Sequence, residues 1–185
     1  SASGGASLVK DINPDGSSDP YGPIRFGTRI LFGAKSNNGA LSQLYRTNGT
    51  ARGTRAVRLP FPDDVQHEAV IGRTLYFDAQ TATQGYELWR SDGTRAGTSV
   101  VRDIWPGSKD GNPSYSVRLG RFIVFEADHP ATGREVWRSN GTRAGTRLVR
   151  DLNPGGDSAP LHFTAGLGFV WFSAIGKNGG RELYR

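Results

Sequence analysis

The sequence predicts an all-β fold: a four-bladed β-propeller of four-stranded antiparallel blades, closed by the N-terminal strand completing the last blade. Three observations predict it. One segment recurs along the chain, as QLYRTNGTARGT from Gln43, ELWRSDGTRAGT from Glu87, EVWRSNGTRAGT from Glu135 and a terminal ELYR from Glu182. A second landmark, LVKDINP from Leu8, returns as AVRLPFP from Ala56, VVRDIWP from Val100 and LVRDLNP from Leu148. A third is an apolar run: ILFGA from Ile30, LYFDA from Leu75, IVFEA from Ile123 and VWFSA from Val170. The landmarks keep their order and repeat every 44 to 48 residues. A period of that length, split into short strands by turns, is the signature of propeller blades.

The third repeat shows the reading of one blade. Ser114–Leu119 alternates and ends in a turn at Gly120-Arg121. Phe122–Ala127 is mostly apolar, as a strand buried on both faces is. Asp128–Gly133 reads as a loop, Arg134–Ser139 as a third strand, and Asn140–Gly145 as a second turn. Thr146–Leu152 is the fourth strand, stopped by Asn153-Pro154. The whole chain, 1–185, is then one domain, with blades at 22–59, 66–104, 114–152 and 161–185. Joining Arg185 to Ser1 reproduces the motif, so the strand at 7–13 is expected to complete blade 4 and remove an exposed edge. A half-ring that dimerises to eight blades, and a piece of a longer array, are the alternatives.

The composition fits. Of 185 residues, 26 are glycine and 10 proline, which suits many turns. There is no apolar run near the roughly 18 residues that a membrane helix needs. Cysteine and methionine are absent, which excludes disulfides and thiolate metal sites. A processed exported chain would lack its first methionine, and so would a piece of something larger. The net charge of +6 favours acidic partners.

The motif ELWxSDGTxxGTxxVxDIxPG, carried by Glu87–Gly107 and with changes by Glu135–Gly155, resembles the ELW/DGT repeats of large bacterial exported proteins, also described as hyalin-like. The resemblance covers all four units. It implies a propeller-like fold and a secreted or cell-surface setting, periplasmic included, and it implies no activity. The first unit departs from it, with Gln43 in place of Glu and Leu59 in place of Asp.

Positions repeated in every blade read as scaffold. Phe32, Phe77, Phe125 and Phe172 share one position, with Ala34, Ala79, Ala127 and Ala174 two residues on. Tyr45, Trp89, Trp137 and Tyr184 form a second aromatic ring, suited to packing between blades or to stacking on sugars. Glu87, Glu135 and Glu182, and likewise Asp11, Asp103 and Asp151, are expected to accept turn amides. The Asn48, Asp92 and Asn140 turns read as hairpin chemistry, although their oxygens would also suit calcium. No cofactor is otherwise implied, and no metal site is assigned.

Function is sought where the blades differ. Ten residues before the Phe ring stand Gly22, His67, Tyr115 and His162, and three further on Arg25, Val70, Arg118 and Ala165. First strands line the channel of a propeller. His67, His162, Tyr115, Arg25 and Arg118 are therefore the candidate ligand-binding residues at its mouth, suited to an anion, with a His67/His162 metal as the weaker reading. Trp105 replaces the turn Asn seen at Asn13 and Asn153, and is a candidate loop contact for a sugar or a partner. Phe61, Asp63, Asp64 and Lys109 also break the repeat. Two basic registers, Lys10, Arg58, Arg102, Arg150 and Arg46, Arg90, Arg138, Arg185, would form a rim able to follow a polyanion. No phosphate loop, nucleophile elbow or metalloprotease helix appears, and no nucleic-acid module. The expected role is a non-catalytic extracellular binding module, its partner an anionic glycan or an envelope protein. The alternative is an assembly subunit that oligomerises or docks on a larger complex, and a channel-mouth enzyme comes last.

Overall fold

The computed structural model describes residues 5–36, 42–57, 59, 66–81 and 83–185, with backbone alone at 66–68. Arg58, Phe61, Asp63 and Asp64 lie outside the described residues. The strands are β1 (Tyr21–Phe26), β2 (Arg29–Lys35), β3 (Ser42–Thr47), β4 (Arg55–Ala56), β5 (Gln66–Ile71), β6 (Thr74–Ala79), β7 (Glu87–Ser91) and β8 (Ser99–Arg102). They continue as β9 (Ser114–Leu119), β10 (Phe122–His129), β11 (Gly133–Ser139), β12 (Arg147–Arg150), β13 (Leu161–Gly166), β14 (Phe169–Ile175) and β15 (Arg181–Tyr184). Among the described residues there is no helix, hence none long and apolar enough to cross a membrane.

The strands form four antiparallel meanders: β1 to β4, β5 to β8, β9 to β12 and β13 to β15. The first hairpin of each turns tightly on a left-handed glycine, Gly27, Gly72, Gly120 or Gly168. First strands lie side by side in order, β1 by β5, β5 by β9 and β9 by β13, and no comparable contact brings β13 back to β1. The third blade corrects one boundary. The segment expected as a loop pairs further, with Asp128 opposite Arg134 and His129 opposite Gly133. The reason is a two-pronged ion pair across the ladder, Arg134 Nε to Asp128 Oδ1 at 2.7 Å and Nη2 to Oδ2 at 2.8 Å.

Cores lie between blades. Leu31, Leu44 and Val57 of the first blade meet Leu75, Phe77, Ala79 and Trp89 of the second. Tyr76, Leu88, Val101 and Ile104 of the second meet Ile123, Phe125, Ala127 and Trp137 of the third. Val124, Val136 and Leu152 of the third meet Val170, Phe172, Ala174 and Tyr184 of the fourth. The Phe–Ala spacing therefore fills the wedge between sheets, a large side chain beside a small one. The second aromatic ring is also packing: Tyr45, Trp89 and Trp137 are buried and Tyr184 is half-buried.

The last sheet has three strands. Residues 7–13 form no strand, and nothing among the described residues pairs with the outer edge of β15. The segment lies instead on the free face of the first blade, where Ile12 packs on Phe32, Ala34 and Tyr45.

Candidate functional site

Each first strand carries a β-bulge at one place. The register skips between Tyr21 and Ile24 in β1, between His67 and Ala69 in β5, and between Leu161 and Thr164 in β13. In β9 the skip falls where Ser114 faces Glu126 and Val117 faces Val124. Three of the four positions singled out from the sequence, Gly22, Tyr115 and His162, are bulge residues, whereas His67 is paired and the skip follows it. Gly22, Tyr115 and His162 stand at φ 56°, 52° and 60°. His67 starts the equivalent skip opposite Phe77, and its side chain lies outside the described residues. Glycine adopts such φ values freely, while other L-residues are strained there. A bulge also re-aims its side chain, and both Tyr115 and His162 are exposed.

Tyr115 and Arg118 lie on β9 and His162 on the adjacent β13, whereas Arg25 lies on β1, with β5 between. Among the described residues no hydrogen bond or ion pair joins Tyr115, Arg118, His162 and Arg25 to one another. Each arginine folds back on its own hairpin: Arg25 Nε donates to Gly27 O at 3.4 Å and Arg118 Nε to Gly120 O at 2.9 Å. Both arginines are exposed.

The sequence reading missed the acidic residues behind this face. The position after the conserved Phe is Gly33, Asp78, Glu126 or Ser173. Glu126 is 3% exposed, and its Oε1 accepts from Ser114 Oγ at 2.8 Å. Burial raises its carboxyl above the ordinary range, opposed by the Ser114 bond and by the charges of Arg134 and Arg181. Arg181 Nη1 donates to Ala159 O at 2.8 Å and to Ser173 O at 3.2 Å, and His162 Nδ1 lies 3.4 Å from Ser173 Oγ. Glu126 thus feels the charges of two guanidiniums from blades 3 and 4, and Arg181 and His162 both reach Ser173. The signal was available: an acid inside an otherwise apolar strand.

Two of the three repeated glutamates, Glu87 and Glu135, behave as expected of scaffold, while Glu182 is exposed. Glu87 Oε2 accepts from the Ile104 amide at 2.6 Å and Oε1 from the Trp105 amide at 3.0 Å. Glu135 accepts from the amides of Leu152 and Ser158 and from Ser158 Oγ. The aspartates do not share the role. No turn amide donates to Asp103 or Asp151, and each keeps one carboxylate oxygen buried without a hydrogen-bond partner. The glutamates already hold those turn amides.

The loop and rim candidates have local partners. Trp105 is half-buried with Lys109 Nζ over its ring, 5.4 Å from the centroid. Arg102 Nη1 donates to Thr146 O at 2.8 Å, Lys10 Nζ to Thr54 O at 3.0 Å and Arg90 Nη1 to Gly141 O at 2.9 Å. Lys10, Arg90 and Arg102 are thus tied to carbonyls of other segments, while Arg150 and Arg185 of the same registers are exposed. In the turns, Asn48, Asp92 and Asn140 each accept through Oδ1 from the backbone and hydroxyl of a threonine two residues on. That is Asx-turn geometry.

No protein-family model matches this chain, and no curated protein matches it. Solved structures do. TolB from Acinetobacter baumannii is 13% identical at a TM-score of 0.50, over 85% of this chain and 40% of that one. A prolyl endopeptidase, from a study of inter-domain dynamics in two such enzymes, is 13% identical at a TM-score of 0.52, over 85% and 24%. Prolyl oligopeptidase B from Galerina marginata is 12% identical at 0.50, over 86% and 25%. The chain spans less than half the length of each. The likeness is to their propeller domains and supports an all-β, propeller-type fold with four blades.

Proposed function

We propose that this chain is a non-catalytic binding module, set outside the cytoplasm as the ELW/DGT resemblance implies, and that its first-strand face receives an anionic glycan. One observation carries the reading. Blade 1 builds the bulge with Gly22, so the fold needs nothing more there, yet blades 3 and 4 hold Tyr115 and His162 in the same left-handed conformation. Strain kept at exposed positions points to use of the side chains. Arg118 on the same strand as Tyr115, and Arg25 on β1, supply the positive charge, and the phenol and imidazole supply stacking and hydrogen bonds. A glycan array with sulfated and uronic polymers tests it. We expect binding that weakens at least tenfold in the Arg25→Glu/Arg118→Glu variant and in Tyr115→Gly. Flat binding at low salt, indifferent to both changes, overturns it.

A second reading has its own observation. Among the described residues nothing pairs with the outer edge of β15. Residues 7–13, which have the sequence of a fourth strand, are its candidate partner in an assembly role.

A further inference from the structure

Every blade makes its tight turns at one end. Ile30, at the start of β2, faces Thr47 at the end of β3, and Leu75 faces Ser91 and Ile123 faces Ser139 in the same way. The first hairpin and the turn after the third strand are therefore neighbours. Adjacent blades share this end. A Cβ on Gly93, in the turn of blade 2, would lie 3.7 Å from Phe26 at the end of β1. Arg90 of blade 2 donates to Gly141 O in the turn of blade 3, and Leu119, the last residue of β9, packs in one cluster with Val170 of blade 4.

Charge is sorted between the two ends. Arg29, Arg73 and Arg121 stand in or beside the first hairpins, and Arg52, Arg95 and Arg143 in the second turns, all exposed. Arg95 also donates to Leu59 O at 3.1 Å. The turn segments of the sequence, 25–30, 46–56, 70–75, 90–99, 118–123, 138–147 and 165–170, hold a single acid, Asp92. Asp15, Asp19, Asp110 and Asp157 are exposed in the loops of the other end.

Leu167 breaks the pattern of this end. The hairpins pair Phe26 with Arg29, Ile71 with Thr74, Leu119 with Phe122 and Gly166 with Phe169, which leaves two turn residues in each. The first is Gly27, Gly72 or Gly120 at φ 60°, 62° or 60° in blades 1 to 3, and Leu167 at φ 54° in blade 4. Glycine adopts that backbone freely and leucine is strained in it. Leu167 is nevertheless 88% exposed, so packing does not offset the strain. The exposure belongs to the position. A Cβ at Gly27, Gly72 or Gly120 would meet nothing within 4 Å, although a further blade packs on each of those three. Two residues on, Phe169 is 44% exposed. Its counterpart Phe122 is half-buried, with Arg121 and Arg138 over its ring at 5.1 and 4.8 Å from the centroid.

We propose that the turn end docks on an anionic phospholipid bilayer, with Leu167 and Phe169 in the headgroup layer and the hairpin arginines on lipid phosphates. A polysaccharide or a nucleic acid would answer the charge equally, but neither has a use for a bare leucine held out under strain. A bilayer surface does, because apolar side chains sink to the acyl boundary while cations around them hold anionic lipid. The surface is separate from the Tyr115 and His162 bulges, so the proposal stands apart from the glycan reading.

Flotation with vesicles of phosphatidylglycerol and phosphatidylcholine, against phosphatidylcholine alone, tests it. The chain is expected to float with the anionic vesicles only. Leu167→Asn keeps a residue suited to the left-handed turn and is expected to weaken binding at least about fivefold. Arg29→Gln/Arg73→Gln/Arg121→Gln is expected to weaken it about a hundredfold, at about fivefold for each arginine. In Leu167→Trp the added emission is expected to shift to the blue on anionic vesicles. Failure to float overturns the proposal, and so does equal flotation on neutral vesicles. Binding that falls in the arginine variant but not in Leu167→Asn, with no blue shift, also overturns it, since that is the response of a site for a soluble polyanion. None of these outcomes alters Arg25, Arg118 or Tyr115, on which the glycan reading is tested.

Discussion

The junction between blades 2 and 3 and the two ends of the array are made of the same residue types in opposite states. At the junction Phe125, Trp137 and Ile104 are buried against Leu88 and Tyr76, and Glu87 is closed over by turn amides. At the ends Leu8, Val9, Ile30 and Leu183 are exposed and Glu182 faces solvent. The repeat therefore does not determine burial by itself. A blade presents two half-faces, and each becomes core only when a neighbour supplies the other half. Ends and junctions differ in partner, not in chemistry.

Breaking the comparison at the junction has the largest effect. Phe125 is 1% exposed, and Phe125→Ala leaves a cavity worth about 3–5 kcal/mol. Leu183→Ser changes an exposed side chain, and its effect on a single chain is expected within about 0.5 kcal/mol. Urea unfolding at low protein concentration measures both. Equal losses would mean that β15 is already covered as the inner strands are.

A smaller effect sharpens the comparison through pH. Burial, opposed by the amides of Ile104, Trp105 and Gly111, raises the Glu87 carboxyl from 4.5 to about 7. Between those values the folded chain holds a proton that the unfolded chain has released. The contribution of Glu87 to stability is therefore fully present below pH 4.5 and is lost as pH rises through 7. Burial shifts Glu135 in the same direction, against the Ser158 and Leu152 bonds. The Glu87→Gln variant removes one titration, so its stability difference between pH 5 and pH 8 is expected to be smaller than that of wild type by about 1–3 kcal/mol. Identical differences would show that the amide bonds keep Glu87 ionised throughout.

The scaffold was legible in the sequence because periodicity encodes it. The Phe–Ala pair, the second aromatic ring and the glutamates recur, and recurrence marks what every blade needs. The bulge positions were legible as disagreement between copies: Gly22, Tyr115 and His162 share one backbone place. What the sequence did not disclose is geometric. Alignment gives residues 7–13 the form of a fourth strand completing the last blade, whereas they form no strand and lie on blade 1. Ile12 and Lys10 carry that information in their contacts with blade 1. Glu126 escaped notice because apolar neighbours hide a single acid, and its companions Arg134 and Arg181 come from different blades. Lys10 and Arg102 looked free because charge is visible in a sequence and a carbonyl partner 44 residues away is not.

The smallest effect separates the strained bulges from the rest of the blade. Tyr115 is 60% exposed at φ 52°, and His162 is exposed at φ 60°. A left-handed L-residue costs about 1–2 kcal/mol, and glycine in its place returns about 0.5–1 of that as chain entropy of the unfolded state. Little packing is lost, since both side chains face solvent. Tyr115→Gly and His162→Gly are thus each expected to stabilise the fold by about 0.5 kcal/mol, a rise of about 1–2 °C in Tm. The same changes are expected to weaken glycan binding. Calorimetric melts and the array, run on the same variants, read the two together. A gain in stability with loss of binding is the trade expected where function maintains strain. A fall in Tm would show instead that the two side chains serve the fold, and the case for a site on this face would fail with it.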